Sequence, residues 1–177
     1  MDFEPIITND INQLQEIFDL RVEVWEKSPF HEIVNKNLFP NGWSDNLDSS
    51  GHHIIVHDGK KKIIASARLN FYEKTKSLPF FSLINHVQLP REGPLGYYSR
   101  LVVNEKGYGI SKKIDEFVIN YCKIKSINWI IGLSNTRTEL MTNKLGFRVY
   151  GKTEIKYHEL SKKHPVDIII KTLKNEF

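Results

Sequence analysis

Two groups of residues in this chain have types and spacings that could do chemistry. The first is the segment Leu101-Val102-Val103-Asn104-Glu105-Lys106-Gly107-Tyr108-Gly109-Ile110-Ser111, which places two glycines between a β-rich run and a run of helical period. Glycine lets the backbone come close to a ligand. The first N–H groups of a helix are unpaired, and the helix dipole adds positive potential beside them, so such a strand-to-helix junction suits a phosphate or pyrophosphate. A tight turn that holds nothing has the same composition, and that alternative stays open. The pattern is not a Walker loop, since no G-x-x-x-x-G-K-[ST] occurs, and Lys112 stands where a G-x-G-x-x-G would need its third glycine.

The second group is polar and lies mostly upstream: Arg21, Trp25, Asp45, Asp48, Arg68, Ser99 and Arg100. Asp45 and Asp48 can serve a polar binding pocket or simply cap loop N–H groups, and Arg21 and Arg68 can serve that pocket or surface ion pairs. The histidines at 52, 53 and 57 invite a metal, but His53 and His57 would share a strand face with Ile55 between them. No third ligand follows at a recognised spacing, so no metal is expected. His53, Glu73 and His86 are candidate bases. Cys122 falls on an apolar helical stripe and is expected to be packed rather than nucleophilic.

These residues need elements to position them. A short strand is expected over Phe3–Thr8, then a helix from Asp10 with apolar residues at Ile11, Leu14, Ile17, Phe18, Val22 and Trp25. Asp10 and Gln13 have the spacing of a capping box. Phe30 to Ser50, with Pro40 and Asn41-Gly42, reads as a short helix and a long loop. His53–His57 and Ile63–Tyr72 read as a hairpin about Asp58-Gly59-Lys60. The Pro-containing stretch from Glu73 to Gly96, with Phe80-Phe81, is too long for a simple hairpin loop. After it come a strand at Tyr97–Val103, the glycine turn, a helix bearing Ile114, Phe117, Val118 and Tyr121, and a strand at Asn128–Leu133. Thr136 with Glu139 would cap a helix stopping at Gly146, and Phe147–Ile155 and Val166–Leu173 would close the fold. The order describes a mixed α/β sheet with a βαβ unit in its second half.

Composition sets the outer limits. The chain has 177 residues, 40% hydrophobic and 26% charged, which suits a single globular domain, residues 1–177, that needs no disulfide or structural metal. Its one cysteine suits a reducing compartment, so the cytoplasm is expected. The start, MDFEPIITND, has neither the positive charge nor the apolar run of a signal peptide, and no stretch approaches the roughly twenty apolar residues of a membrane span. Twenty-five Lys and Arg against 21 Asp and Glu give a net charge of +4, too mild to imply a nucleic acid or a membrane surface as partner.

Asn104-x-x-Gly107-x-Gly109 resembles the Q/R-x-x-G-x-G/A coenzyme A loop of the GNAT acyltransferase superfamily, with Asn in the Gln/Arg place. Asn135, eleven residues before Gly146-Phe147, resembles that superfamily's Asn…Leu-Gly-Phe helix. The resemblance implies an α/β (α+β) fold with a mostly antiparallel central sheet flanked by helices. It implies that Leu101, Val102 and Val103 pair through their backbone with pantetheine, that Asn104 to Ser111, including Lys106, Gly107, Tyr108, Gly109 and Ile110, holds the pyrophosphate, that Lys112 or Lys113 assists, and that Asn135 adds a side-chain contact. Thr142 stands where many members place a tyrosine that protonates the thiolate; Tyr108 and Tyr150 are possible substitutes. Arg21, Trp25, Asp45-x-x-Asp48, Arg68-Leu69, Phe80-Phe81 and Ser99-Arg100 are similar in order and spacing to acyl-homoserine-lactone autoinducer synthases, although Tyr97-Tyr98-Ser99-Arg100 lacks the glutamate of their W-E-x-S-R strand. This assigns Arg21, Trp25, Asp45, Asp48 and Arg68 to the substrate side and Ser99, Arg100 and Thr142 to the chemistry. The implied activity is direct transfer of an acetyl or other acyl group from acetyl-CoA to a small-molecule or protein amine in a ternary complex, by a monomer or homodimer. The alternatives are lactone synthesis consuming S-adenosylmethionine, and a catalytically weak acyl-CoA-binding sensor.

Overall fold

In the computed structural model, which describes residues 3–89, 93–104 and 108–173, β-branched runs form strands and apolar stripes of helical period form helices. The elements are β1 (Ile6–Thr8), α1 (Ile11–Glu26), β2 (His52–His57), β3 (Ile63–Tyr72), α2 (Phe81–Ile84), β4 (Leu95–Val103), α3 (Ile110–Ile124), β5 (Trp129–Ser134), α4 (Thr138–Leu145), β6 (Arg148–Ile155) and β7 (His164–Thr172). Single 3-10 turns lie at Asp48–Ser50 and Thr75–Ser77. The strands hydrogen-bond in the order β1-β2-β3-β4-β5-β7-β6. β1–β2, β2–β3, β5–β7 and β6–β7 run antiparallel; β4 and β5, joined by α3, run parallel. This is the expected mixed sheet with its βαβ unit.

The chain divides into two compact units, each assembled from several stretches. The first comprises Met1–Leu69, Arg100–Phe117 and Lys156–Lys162. Its core packs Ile17 and Leu20 of α1 on Ile55, Ile63 and Val102, with a second cluster of Val22, Ile33, Val34 and Trp43. The second comprises Asn70–Ser99, Val118–Ile155 and Lys163–Phe177, and buries Leu78, Ile84, Leu95, Trp129, Ile131, Ile168 and Ile170 together. Each such side chain taken fully out of water contributes about 1.5–3 kcal/mol before chain entropy is set against it.

Local expectations are corrected in several places. Asp10 is the N-cap of α1 and accepts the Asn12 N–H at 2.9 Å, but Gln13 does not close a capping box. Thr8 takes that part: its Oγ accepts the Asp10 N–H at 3.1 Å and its hydroxyl donates to Gln13. Among the described residues no α-helix forms between Phe30 and Ser50. There the Asn35 side chain captures the N–H groups of Asn37 and Leu38, and Asp45 captures that of Leu47, so donors a helix would use are already engaged. The long segment after β3 instead contains the short α2, and β4 starts at Leu95, earlier than Tyr97. β1 is shorter than Phe3–Thr8, and β7 begins at His164 because pairing with β6 extends past Val166 to Ile155↔His164. Thr136 is not the cap of α4: Arg137 holds the N-cap position, and Asn135 Oδ1 takes the Thr136 N–H at 2.6 Å.

Gly146 ends α4 as expected, in the left-handed region at φ 70°, with its own N–H and that of Phe147 directed to the Met141 carbonyl. The nearest atom to a Cβ built there is the flexible end of Lys171, so conformation rather than space is the constraint. Gly146→Ala is expected to destabilise the protein by about 1 kcal/mol, read as a lower urea midpoint at unchanged slope.

Candidate active site

The polar residues singled out upstream come together in the first unit. Arg21 shares the inner face of α1 with Ile17 and Leu20, so its guanidinium enters the core; Arg68 projects from β3, Arg100 from β4, and Asp45 and Asp48 from the loop before β2. Arg21 Nη1 donates to both Asp48 oxygens, at 2.9 and 3.1 Å, and to the Trp43 carbonyl at 3.0 Å. Arg68 forks onto Asp45 at 2.6 and 3.2 Å and reaches Asp48 Oδ1 at 2.8 Å. Arg100 Nη2 pairs with the remaining side of Asp45. The side chains of Arg21 and Arg68 are 0% and 1% exposed, so these are not surface ion pairs. The acids also cap: Asp48 Oδ2 accepts the Asp45 N–H at 2.8 Å, and Asp45 Oδ1 accepts that of Leu47 at 2.9 Å. Of the two sequence readings of the acidic pair, the structure shows the capping one, and it adds buried ion pairs to it.

Three guanidiniums face two carboxylates, and the field shows in the proton affinities. Burial pushes the Arg21 pKa down to about 10, only partly offset by Asp48, so it stays charged at neutral pH. Burial would raise the Asp45 carboxyl, but the Arg68 hydrogen bond and the Arg100 charge outweigh it and hold the group well below the usual carboxylate range. His53 Nε2 lies 3.0 Å from the Asp48 carbonyl; a carbonyl only accepts, so Nε2 carries the proton and Nδ1 the lone pair. Burial first, and the nearby Arg21 and Arg68 charges, lower its pKa, which keeps the ring neutral. Nδ1 of His53, Nε and Nη2 of Arg21 and Nε of Arg100 have no hydrogen-bond partner among the described residues.

An aromatic wall completes the group. The Arg100 guanidinium lies 3.8 Å from the ring centre of Trp43 and 5.2 Å from that of Tyr157, and Trp25 packs edge-on to both rings at 5.3 and 5.7 Å. Sequence reasoning found Trp25 but missed Trp43 and Tyr157. Trp43 had one usable signal, a tryptophan two residues before the acidic pair in a loop rich in turn formers. Tyr157 had none.

The glycine junction is also in the first unit. Gly109 caps α3, accepting the Lys113 N–H at 3.1 Å, with φ 66° and, among the described residues, nothing within 4 Å of a built Cβ. Asn104 is tied down on both sides, its N–H donating to the Ile64 carbonyl at 2.9 Å and its side-chain amide to Glu23 at 3.3 Å. Val102 and Ile110 are buried, Leu101, Val103 and Ser111 half-buried. Tyr108 is 60% exposed and leans on Phe3. Lys112 is exposed beside Glu116 at 3.7 Å, and Lys113 pairs with Glu4 at 3.2 Å. Lys106 and Gly107 lie outside the described residues.

The second unit holds the other candidates. Asn135 donates to His164 Nε2 at 3.2 Å. The Thr142 hydroxyl lies 3.0 and 3.1 Å from the Thr138 and Glu139 carbonyls of its own helix, so its one proton is directed at backbone. Ser99 is half-buried, Glu73 is exposed, and the Tyr150 ring packs on that unit's apolar cluster. His86 Nε2 donates to the Lys152 carbonyl at 3.0 Å, which leaves it outside the charged group. Cys122 is buried with its thiol pushed up to about 12 by burial, a packed residue as expected. Among the described residues no three metal-ligating side chains converge, and no helix is long and apolar enough to cross a membrane.

Neither a scan against protein-family models nor a search of curated proteins found a match. Solved structures do match. A GNAT-family acetyltransferase from Staphylococcus aureus Mu50 superposes with a TM-score of 0.58 at 16% identity, over 98% of this chain and 100% of its own. The fold is that of the GNAT acyltransferases. Two further structures match: the acyl-homoserine-lactone synthase LasI (TM-score 0.67, 14% identity, 98% and 92% of the two chains) and arylalkylamine N-acetyltransferase 2 of Aedes aegypti (0.69, 12%, 98% and 100%). At these identities the GNAT likeness is one of fold.

The buried charges set two measurable outcomes. Asp48→Asn leaves the Arg21 guanidinium without its counter-ion and is expected to cost about 3–5 kcal/mol, measured by urea unfolding. His53 and Asp45 both bind protons more weakly folded than unfolded, so their contributions are complete above pH about 6.5 and about 4 respectively and are lost as pH falls below those values. Tm should therefore drop on acidification from pH 7 to 4, and His53→Gln should flatten the part between pH 7 and 5.

Proposed function

We propose that this protein is an acyl-CoA-dependent N-acyltransferase that passes an acetyl or longer acyl group from coenzyme A to an amine. The observation that carries the reading is the helix entrance at Gly109, where no described atom lies within 4 Å of a built Cβ, on a GNAT fold. Among the described residues that leaves room for an anionic pyrophosphate beside the first N–H groups of α3. In the reaction the amine nitrogen bonds to the thioester carbonyl carbon, the C–S bond breaks, and the sulfur leaves with the electron pair. The amine's proton passes to solvent or to the departing thiolate.

Three requirements follow from that chemistry. An alkyl amine of pKa about 10.4 must first lose a proton, and we assign neutral His53, whose lone pair is on the buried Nδ1 beside the charged group, as the candidate base. The carbonyl oxygen needs a donor, which the backbone N–H groups of Leu101 to Val103 supply. The sulfur needs little help, because a thiol of pKa about 8.5 leaves largely as thiolate; Thr142 in the tyrosine place is thus compatible with turnover. We assign Arg21, Trp25, Asp45, Asp48 and Arg68 to the acceptor side, with Asn135 on the donor side. No metal, nucleic acid or membrane enters this scheme, and the single cysteine favours the cytoplasm.

The same charged group supports a second reading, lactone synthesis from S-adenosylmethionine, since it is the part of this chain that resembles the autoinducer synthases. One assay separates the readings: calorimetric binding of acetyl-CoA, followed by thiol release in the presence of the twenty amino acids, spermidine, tryptamine or S-adenosylmethionine. Acetyl-CoA should bind, and an amine should accelerate release; acceleration by S-adenosylmethionine alone would favour the second reading. Binding without acceleration by any of them would mark a sensor. Gly107→Trp should bind no acetyl-CoA while keeping the wild-type circular dichroism spectrum, and unchanged affinity in that variant would remove the central claim.

A further inference from the structure

Three non-glycine residues in the described chain have φ in the left-handed region: Lys61 at 65°, Ser126 at 57° and Arg100 at 58°. The first two have local reasons. Lys61 lies in the turn between β2 and β3, and Ser126 lies two residues past the end of α3, where chains commonly reverse. Arg100 lies inside β4, where an extended backbone is the rule and a side chain with a Cβ disfavours this conformation. Such a conformation persists only where the surroundings over-determine it.

The surroundings of Arg100 do so through its side chain. Asp45 holds one end of the guanidinium, the Trp43 ring covers its face at 3.8 Å, and Tyr157 stands at 5.2 Å. None of these is free to follow a movement of the strand. Asp45 is itself held by the Arg68 fork and the Leu47 N–H, and Trp43 and Tyr157 are locked edge-to-face at 5.0 Å. On the carboxyl side the chain is fixed again, by burial of Val102 and by the Asn104 N–H on the Ile64 carbonyl. The parallel pairing of β4 with β5 runs from Leu95↔Trp129 to Tyr98↔Gly132, just ahead of the kink. A left-handed residue at that place turns the following peptide unit, Arg100–Leu101, away from the alternation a ladder needs.

We propose that Arg100 is a positioning residue: clamped by Asp45, Trp43 and Tyr157, it imposes the left-handed kink on β4 that turns the Leu101 N–H toward the thioester carbonyl. The assignment rests on the acyl-transfer reading above. It makes the backbone conformation, and not the charge of Arg100, the quantity that matters for rate. Glycine adopts φ near 60° without the Cβ penalty, whereas alanine does not and lysine keeps the charge without the planar fork and stacking face.

The test is the acetyl-CoA thiol-release assay on Arg100→Ala, Arg100→Gly and Arg100→Lys, with a crystal structure of the alanine variant. Arg100→Ala should lower kcat about tenfold or more with KM for acetyl-CoA within about twofold, Arg100→Gly should recover several-fold of that loss, and Arg100→Lys should not. The alanine structure should show residue 100 returned to extended φ. Rescue by lysine but not glycine would overturn the assignment, as would a left-handed φ retained in the alanine variant or an unchanged kcat. Should Arg100→Ala fail to fold, the glycine and lysine variants carry the same comparison. Wild-type protein that releases no thiol with any of the amines would overturn the acyl-transfer reading and this role with it, whereas an active wild type with an unaffected Arg100→Ala overturns the role alone.

Discussion

Arg21 is a charge in a place without solvent, and much of the first unit is arranged to make that tolerable. Its position on α1 is dictated by the spacing that also sends Ile17 and Leu20 inward, so the guanidinium cannot escape to the surface without unseating the helix. Desolvating it costs several kcal/mol, which only a carboxylate and further acceptors at close range can offset. Asp48 and the Trp43 carbonyl supply them. Both lie in a stretch with almost no regular secondary structure, and the need to neutralise Arg21 is what gives that stretch one conformation.

The consequences spread outward from Asp48. Its second oxygen orients the Asp45 backbone, its first is shared with Arg68, and Asp45 then serves Arg68 and Arg100 together. A buried network of this kind is weak evidence for stability, since apolar residues of similar volume often do as well. Its value lies in specificity: each charge meets an opposite charge at one geometry, and an alternative packing would strand one. Burial, joined by the Arg21 and Arg68 charges, lowers the proton affinity of His53, leaving a neutral imidazole beside that network.

The GNAT fold appears here at identities of 12–16%, low enough that no family model matched. Physical chemistry accounts for so faint a signal. A sheet and its helices need apolar residues of roughly the right size at the right period, and many sequences meet that demand. What remains specific is where the chain may bend: Gly109 at the entrance to α3, Gly146 at the end of α4, and Arg100 within β4.

Elements whose signals are local were readable from the sequence. α1 and α3 announce themselves by helical period, β2 and β3 by β-branched runs about a turn, and the end of α4 by Gly146; the fold class followed from these together with the resemblance they carry. The candidate residues Arg21, Asp45, Asp48, Arg68 and Arg100 were named through the resemblance of their order and spacing to the autoinducer synthases. What the sequence left undecided was whether they meet, because an arginine on a helix face looks the same whether its partner is water or a carboxylate 27 residues away. Trp43 and Tyr157 became part of the site, Asn35 and Asp45 took up the donors of a helix expected before β2, and Thr8 replaced Gln13 at the first cap, each through a contact that no local pattern encodes. Periodicity reports which face of an element is apolar. Only the packed chain decides which charge must be answered, and by whom, because desolvation depends on everything that surrounds a group at once.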